Sequence, residues 1–368
     1  MLTLTHKNTV YTTKTCAVDA GFLVLDKIRN MKYLLACIFI GTCLTASAQA
    51  DFNNVFLAGV DDAERFTTSY MEPLSESVVY SMSTGWYNTA DAKPLGGFEI
   101  SILGNITGFK NKEDKKTFIL NPNDYENLDF VDNPGVAREV STALGNISGT
   151  EVYVESEVLE VTVRETFELP SGLSGEDIDF IPSGYIQAGI GLFKGTEIKA
   201  RFLPKIEYED TSIGLLGLGL QHDFTKLLPA DKILPVAISA VIGYTNINGD
   251  YDLAEADLID GENQRIEAEI NSWAFGAVVS TKLPVINFYG GVNYITGKSV
   301  TDVLGTYRVT SGPFASETYV DPFSITKKVN GVTGTIGTKL KLGFFRLNAE
   351  YNLGEFNTAT LGINFGFR

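Results

Sequence analysis

The chain contains 368 residues, of which 44% are hydrophobic, 11% aromatic and 20% charged, and its formal net charge is −16. This apolar content excludes a disordered chain, because enough apolar surface is present to offset the entropy lost on folding. The calculated pI near 4.6 argues against a nucleic-acid-binding protein, which needs clustered lysine and arginine to contact phosphates. No run reaches the roughly 18 consecutive apolar residues of a spanning helix, so a helical membrane protein is also excluded.

The N-terminal part of the chain has the pattern of an export signal. Met31 and a lysine precede a short apolar stretch, residues 33–44, and small residues follow at alternate positions as far as Ala48 and Ala50. A basic start, an apolar stretch too short to span and small residues for the peptidase are the three parts of such a signal. We therefore expect translation to begin at Met31 and cleavage to follow Ala48 or Ala50. A buried first helix of a soluble domain is the alternative.

Removal of residues 1–50 would also remove every cysteine of the chain. The three cysteines all lie in that segment: Cys16, Cys37 and Cys43. The mature chain would then have no disulfide and no thiol nucleophile. It would retain one histidine, His222, which excludes zinc sites built from several histidines.

From residue 95 onward, apolar and polar residues alternate, which is the spacing of a strand with one apolar and one polar face. Ile198, Ala200 and Phe202, for example, are separated from one another by charged residues. The alternation predicts ten strands, which lie within residues 98–107, 185–192, 197–202, 211–224, 235–247, 267–282, 286–297, 330–342, 343–353 and 357–368.

The connections between these strands alternate between compact turns and longer, mostly acidic loops. The three longest loops are residues 110–182, 248–265 and 298–329. Short turns at one end and long loops at the other are typical of an outer-membrane β-barrel, because lipid cannot satisfy a free strand edge. We therefore predict an all-β, antiparallel transmembrane β-barrel over residues 95–368, with the long loops outside a Gram-negative cell. A water-soluble β-sandwich with one wet face is the alternative.

An amphipathic helix is predicted before the barrel. From Val55 to Tyr70, apolar residues recur at three- and four-residue spacing. Pro73 interrupts this pattern, and a second short helical piece follows as far as Met82. A helix with one apolar stripe must bury it, so we predict that residues 51–94 form a short N-terminal helical plug, or hatch, inside or beneath the barrel mouth. A helix on the membrane surface is the alternative.

If the apolar strand faces meet lipid, the polar faces meet the lumen. The predicted lumen-lining residues are Glu99, Glu197, Lys199, Arg201, Lys339, Lys341, Arg346 and Glu350. Because both signs of charge are present, they indicate either the selectivity lining of a water-filled path, as in a porin, or the salt-bridged filling of a closed lumen.

Candidate catalytic and metal-binding residues are few. His222 lies on the apolar face of its strand near Phe224, where it suits the membrane interface, and no base partner is close in sequence. The carboxylates of residues 248–265 could bind a hard cation, but their spacing does not match a calcium loop. We therefore predict no enzymatic activity, no metal and no cofactor. The expected partners are outer-membrane lipid and a small apolar solute, and no nucleic acid.

Two parts of the chain resemble an uncharacterised family of bacterial outer-membrane β-barrel proteins. One is the run from Pro182 to Tyr244, which contains Gly189-Ile190-Gly191-Leu192 and Leu218-Gly219-Leu220-Gln221-His222. The other is Gly85-Trp86-Tyr87-Asn88-Thr89-Ala90. The resemblance covers most of the mature chain and implies no particular activity.

In architecture the chain resembles, more distantly, the long-chain fatty-acid transporter (FadL-like) barrels. That resemblance implies a helical N-terminal hatch in a barrel of fourteen strands, but no sequence motif of that family is present and its ligand-binding residues cannot be transferred. Residues 110–182 and 298–329 could each hold a further strand pair, so we estimate an even total of twelve or fourteen strands. The function expected is passive uptake of small, including hydrophobic, molecules, gated by the hatch. The alternative is a structural or surface-interaction barrel with a filled lumen.

Overall fold

The computed structural model describes residues 52–158, 161–208, 210–229, 234–253 and 258–367. The predicted export signal and its cleavage positions lie outside these residues. Within the described part of the chain, no helix is both long enough and apolar enough to cross a membrane.

Most of the described chain is β-structure. The described residues include two α-helices, α1 (Val60–Met82) and α2 (Glu113–Lys116). The strands are β1 (Phe98–Gly108), β2 (Thr117–Leu120), β3 (Leu128–Phe130), β4 (Arg138–Ser141), β5 (Glu151–Val158), β6 (Val161–Glu168), β7 (Phe180–Gly191), β8 (Thr196–Tyr208), β9 (Thr211–Asp223), β10 (Val236–Asp252), β11 (Ile259–Thr281), β12 (Ile286–Val309), β13 (Thr318–Val320), β14 (Phe323–Leu342), β15 (Phe345–Leu353) and β16 (Asn357–Phe367).

Ten of these strands form a closed antiparallel barrel. Their order around the wall is β1, β7, β8, β9, β10, β11, β12, β14, β15, β16 and back to β1. Phe98 lies opposite Phe367, so the first and last strands pair and leave no free edge. The predicted fold class is confirmed, and the ten strands predicted from the alternation are the ten strands of the wall.

The wall has ten strands rather than the estimated twelve or fourteen, because the extra strands of residues 110–182 do not enter it. They form two small separate sheets, one of β2 and β4 and one of β3, β5 and β6. Their apolar side chains, such as Leu120, Phe130 and Val152, are buried against α1 and do not face lipid. We call these two sheets the cap.

Four strands extend well beyond the length that a membrane requires. β10, β11, β12 and β14 contain 17, 23, 24 and 20 residues, whereas β1 contains 11, and about 9–11 residues are enough to span a bilayer. The ring centroids of Tyr244 and Trp273 lie 4.8 Å apart on the outer face. On the long-loop side of these rings the outer face carries polar residues such as Asn246 and Glu269. Much of residues 248–265 and 298–329 is therefore strand that projects beyond the membrane.

The outer face of the barrel is apolar. On β8, Ile198 and Phe202 have exposed fractions of 42% and 52%, while Arg201, between them in sequence, is fully buried inside. Large apolar side chains are exposed in the same way along the other wall strands. A soluble monomer does not expose continuous apolar surface of this extent. This surface matches the lipid-facing band of an outer-membrane β-barrel.

The predicted helical plug is confirmed, but it contains one helix where two pieces were expected. Pro73 lies inside α1 without ending it, although it leaves the carbonyl of Ser69 without its usual intrahelical donor. Burial on both sides of the proline stabilises the continuous helix: Phe66 before it and Val79 after it are fully buried.

Residues 52–97 run through the barrel from the end that carries the long loops to the end that carries the short turns. Near the long-loop end, Phe56 stacks on Tyr307 with ring centroids 4.3 Å apart. Farther along, Val79 and Trp86 are buried in one apolar cluster with wall residues such as Leu203. The chain then reaches Phe98 at the short-turn end, where the wall begins.

The wall contains one incompletely paired seam. β7 pairs with β1 along its whole length, but its pairing with β8 covers only Ile186–Gly191. Pro182 lies in the part of β7 that does not pair with β8, and Pro204 lies where the register of β8 against β9 shifts. Proline cannot donate a ladder hydrogen bond, so both prolines suit a place where the ladder is interrupted.

We predict that Ala200→Arg destabilises the barrel by about 2–4 kcal/mol, because the new charge would face hydrocarbon near the midplane. Thr326→Arg is the control, since Thr326 is an exposed outward-facing residue of β14 in the part that projects beyond the membrane. Urea unfolding of the purified variants in lipid vesicles, followed by heat-modifiable gel mobility, measures the difference. Equal midpoints for the two variants would show that the outward register of β8 is wrong.

Candidate functional site

The segment that follows α1, residues 83–94, fills the short-turn half of the barrel, and together with α1 we call it the plug. Trp86 and Tyr87 have exposed fractions of only 2% and 5%. Gly85 has φ +72°, and a Cβ there would lie 2.7 Å from the Tyr185 hydroxyl. Only glycine fits where the chain turns away from the helix.

The wall is shaped to receive the Trp86 ring. Gly219 of β9 lies directly opposite Gly243 of β10. A Cβ on Gly243 would lie 2.1 Å from the indole Cε2, and one on Gly219 would lie 2.6 Å from the indole Cζ3. The two glycines therefore form a shallow recess that receives the indole ring.

Arg201 holds the end of α1. Its Nη1 donates to the Met82 carbonyl at 2.9 Å, Nη2 donates to the Thr84 carbonyl at 2.5 Å, and Nε donates to Gln187 Oε1 at 2.8 Å. The guanidinium also lies 3.5 Å from the centroid of the Trp86 ring. A cation at the C-terminus of a helix is stabilised by the helix dipole and by the free carbonyls there.

Glu99 is the centre of a buried ionic cluster near the short-turn end. Lys339 Nζ lies 2.9 Å from its Oε2, and Arg346 Nη1 lies 2.6 Å from the same atom. The side chain of Asn88, in the plug, joins the cluster: its Nδ2 donates to Glu99 Oε1 at 3.0 Å and its Oδ1 accepts from Lys339 Nζ at 2.8 Å. The cluster therefore binds the plug to three wall strands.

A second carboxylate, Glu197, binds the plug on the neighbouring part of the wall. Lys93 Nζ lies 2.6 Å from Glu197 Oε1, and Lys199 Nζ lies 3.6 Å from that atom. Lys199 also donates to the Trp86 carbonyl at 2.6 Å. A charged wall residue thus satisfies a buried backbone group of the plug.

Glu350 makes the same kind of contact from the opposite side. Its Oε1 accepts from the Gly85 amide at 2.9 Å, and its Oε2 accepts from the Tyr289 hydroxyl at 3.0 Å. Seven of the eight residues predicted to line the lumen therefore belong to this plug network. The eighth, Lys341, lies at the short-turn rim, with its Nζ 3.5 Å from the Leu283 carbonyl.

The sequence did not reveal the uncharged partners of this network. Gln187 orients Arg201, Gln221 donates to the Thr89 carbonyl at 2.9 Å, and Ser280 accepts from the Ala90 amide at 2.9 Å. Their inward parity on the strands was a usable signal, but it does not say which inward residues meet the plug.

A cavity of about 500 Å³ lies on the long-loop side of the plug network, between α1 and the wall. Its lining is mainly apolar: Leu74, Val78, Ile213, Ile247 and Ile270 are among its members. The alternation alone does not reveal this cavity, although the inward residues of β9 change from Asp223 and Gln221 to Leu215 and Ile213 toward its long-loop end. Pro182 also lines the cavity, so the cavity extends to the incompletely paired seam between β7 and β8.

The cap holds α1 from the long-loop end. The buried Asp62 carboxylate accepts hydrogen bonds from the backbone N–H of Asn127 at 2.8 Å and from the backbone N–H of Glu126 at 2.9 Å. Burial, and next the Asp62 charge, raises the pKa of Tyr125 to about 12. The phenol therefore stays neutral over the physiological range beside the carboxylate that fixes the helix.

In the part of the chain that the structure describes, His222 and the acidic strand extensions form no cluster with catalytic geometry. His222 is half-buried near the short-turn end, with its Nδ1 3.0 Å from Thr196 Oγ1 and its ring edge-on to Phe224. Asp250 bonds Lys205 at 3.1 Å, and Asp260 bonds Arg308 at 3.3 Å. Across the described residues, no group of three or more His, Cys, Asp or Glu side chains is placed to hold a metal ion.

The chain belongs to a family of unknown function (DUF6588), which matches residues 29–367. No curated protein matches the chain.

Several solved structures are similar to it at low identity. The attachment invasion locus protein Ail of Yersinia pestis is 10% identical, with 74% of this chain and 100% of that chain covered and a TM-score of 0.26. The NalP translocator domain of Neisseria meningitidis is 10% identical, with 83% and 97% covered and a TM-score of 0.26. The COG4313 outer membrane channel of Pseudomonas putida F1 is 8% identical, with 76% and 98% covered and a TM-score of 0.26. Scores this low do not establish a shared function.

We predict that Glu99→Gln destabilises the folded barrel by about 3–5 kcal/mol, because it leaves buried cations without their carboxylate. Adding Lys339→Met should recover part of this loss, since it removes one of those cations. Denaturant unfolding of the single and double variants measures the coupling. Asp260→Asn is the control: it breaks an exposed pair and should cost no more than about 1 kcal/mol. A Glu99 variant as stable as this control would contradict a structural role for the cluster.

Proposed function

We propose that this protein is a passive outer-membrane uptake channel for small apolar molecules, with the plug as its hatch. The apolar cavity of about 500 Å³ inside the barrel carries the proposal. Cavities of roughly 300–1,000 Å³ with mainly apolar linings are typical of small-molecule sites. By the general asymmetry of such barrels, we place the long-loop end outside the cell and the short turns in the periplasm.

The position of the plug supports the role of a hatch. A solute in the cavity is separated from the short-turn end by residues 83–94, which are held by Arg201, Glu99 and Glu350. Passage therefore requires these contacts to break together. The side chains that hold the plug are wall residues, so the plug can shift without disrupting the hydrogen-bonded ladder of the barrel.

A structural or surface-interaction barrel with a filled lumen is the second candidate. The observation that favours it is the number of contacts in the plug network, in which Arg201 alone makes three hydrogen bonds and two ring contacts. Such a network suits a permanent filling as well as a hatch. The projecting strands and the cap would then present the binding surface.

We further propose that the protein is not an enzyme. The surroundings of His222, a threonine hydroxyl and a phenyl ring, support this, because a catalytic base needs an orienting partner and a nucleophile within reach. His222→Gln should leave uptake unchanged. Loss of a measured hydrolytic activity on this substitution would contradict the proposal.

A disulfide across the plug tests the hatch. Ser83 Oγ and Ser272 Oγ lie 2.8 Å apart, one on the plug and one on β11. We predict that oxidised Ser83→Cys/Ser272→Cys abolishes uptake of an apolar solute into proteoliposomes, and that reduction restores it, because the bond fixes the plug in the closed position. The introduced pair would be the only cysteines of a chain that begins at residue 51, since all native cysteines precede that residue.

The matched control places a disulfide within the wall. Thr107 Oγ1 and Thr358 Oγ1 lie 2.9 Å apart on β1 and β16, so Thr107→Cys/Thr358→Cys leaves the plug free and should transport in both redox states. Equal uptake by the oxidised and reduced plug variant would contradict the hatch. Absence of uptake in every variant and in the unmodified protein would favour the filled barrel.

A further inference from the structure

The cavity is apolar, but two hydroxyl groups on its lining have no hydrogen-bond partner among the described residues. These are Ser299 Oγ on β12 and Thr211 Oγ1 on β9. Ser299 has an exposed fraction of 2%. Two other buried hydroxyls of the same lining satisfy each other, because Ser81 Oγ and Ser183 Oγ lie 3.0 Å apart. A buried hydroxyl without a partner is unfavourable, so these two positions are suited to a ligand that supplies one.

The charged residues around the cavity disfavour the binding of an anion. No lysine or arginine is among the described residues that line it, and Glu176 is its one charged member. Glu176 is exposed, so its negative charge lies toward solvent at the edge of the cavity. Lys199, Arg201 and Lys339 lie in the plug network and bind its oxygens. A carboxylate in the cavity would therefore lose its hydration without gaining a cation.

We propose that the cavity binds uncharged apolar molecules that carry a hydroxyl or similar hydrogen-bonding group, with that group bonded to Ser299 Oγ, and that it rejects the corresponding carboxylates. This inference names the substrate class of the proposed channel and rests on that function for its biological meaning. Shape and apolar contact would come from the α1 side chains Leu74 and Val78 and from Ile247 and Ile270 of the wall. Selection would come from the hydroxyls and from the lack of a cation.

Three probes of one size test the proposal: naphthalene, 1-naphthol and 1-naphthoate. Their affinities for the purified full-length protein, held in amphipol at pH 7, can be measured by equilibrium dialysis. We expect the affinity for 1-naphthoate to be lower than that for 1-naphthol by about tenfold or more, because the charge of the carboxylate is not paired in the cavity. Ser299→Ala should lower the affinity for 1-naphthol about 2- to 10-fold, which corresponds to the loss of one hydrogen bond. It should leave the affinity for naphthalene unchanged.

A pair of phenylalanine substitutions on β11 separates binding in the cavity from adsorption to the apolar exterior. Ala268 lines the cavity, whereas Ala277 is exposed on the outer face. Ala268→Phe should fill part of the cavity and reduce 1-naphthol binding about tenfold. Ala277→Phe should leave it unchanged. Heat-modifiable gel mobility establishes that both variants are folded.

The outcomes distinguish this inference from the channel proposal. If 1-naphthoate binds as tightly as 1-naphthol and Ala268→Phe weakens both, selection for uncharged molecules is overturned while the channel stands. If Ser299→Ala weakens naphthalene as much as 1-naphthol, the role of the hydroxyl is overturned. If Ala268→Phe changes no affinity, binding in the cavity is overturned. If the probes behave as expected but the plug disulfide leaves uptake intact, the binding inference stands and the hatch fails.

Discussion

Lipid provides no hydrogen bond to a strand edge, and the pairing of β1 with β16 is the response on which the rest of this structure depends. Closure turns one face of every wall strand toward hydrocarbon and the other toward a shared interior. Ile198 and Phe202 can then be exposed on the outside, while Arg201, between them in sequence, is fully buried. The interior created in this way contains charges, and these charges need partners.

The plug supplies those partners. Its backbone carbonyls bind Arg201 and Lys199, its Asn88 bridges Glu99 and Lys339, and its Lys93 binds Glu197. Breaking one such pair alone is costly in a medium of low dielectric constant, so the contacts in the short-turn half of the barrel stabilise the plug as a unit. The long-loop half is different, because apolar side chains of α1 face apolar wall residues and leave a cavity between them.

The sequence predicts the wall well because alternation is a direct consequence of having lipid on one side and a polar interior on the other. Arg201 and Ala200 illustrate this, since their opposite faces follow from parity alone. The projecting parts of β11 and β12 could not be recognised in this way, because beyond the membrane their outer faces meet water instead of lipid and their register shifts between Glu262 and Arg265. Their inner faces still pack on the plug and the cap, as Val303 and Tyr307 do. The uninterrupted helix at Pro73 depends on tertiary burial, which the local pattern does not contain.

The position of the plug before β1 has a consequence for biogenesis. The interior exists only after the last strand, which ends at Phe367, has paired with Phe98 at the start of the wall. The buried contacts of Trp86 and Arg201 leave no wide passage for later threading, so the chain must enclose its own N-terminal segment at the moment of closure. Completion of the wall and capture of the plug are then a single event between the two ends of the chain, which is the slowest kind of contact to form. A C-terminal truncation would therefore release the N-terminal segment, although the two are far apart in sequence.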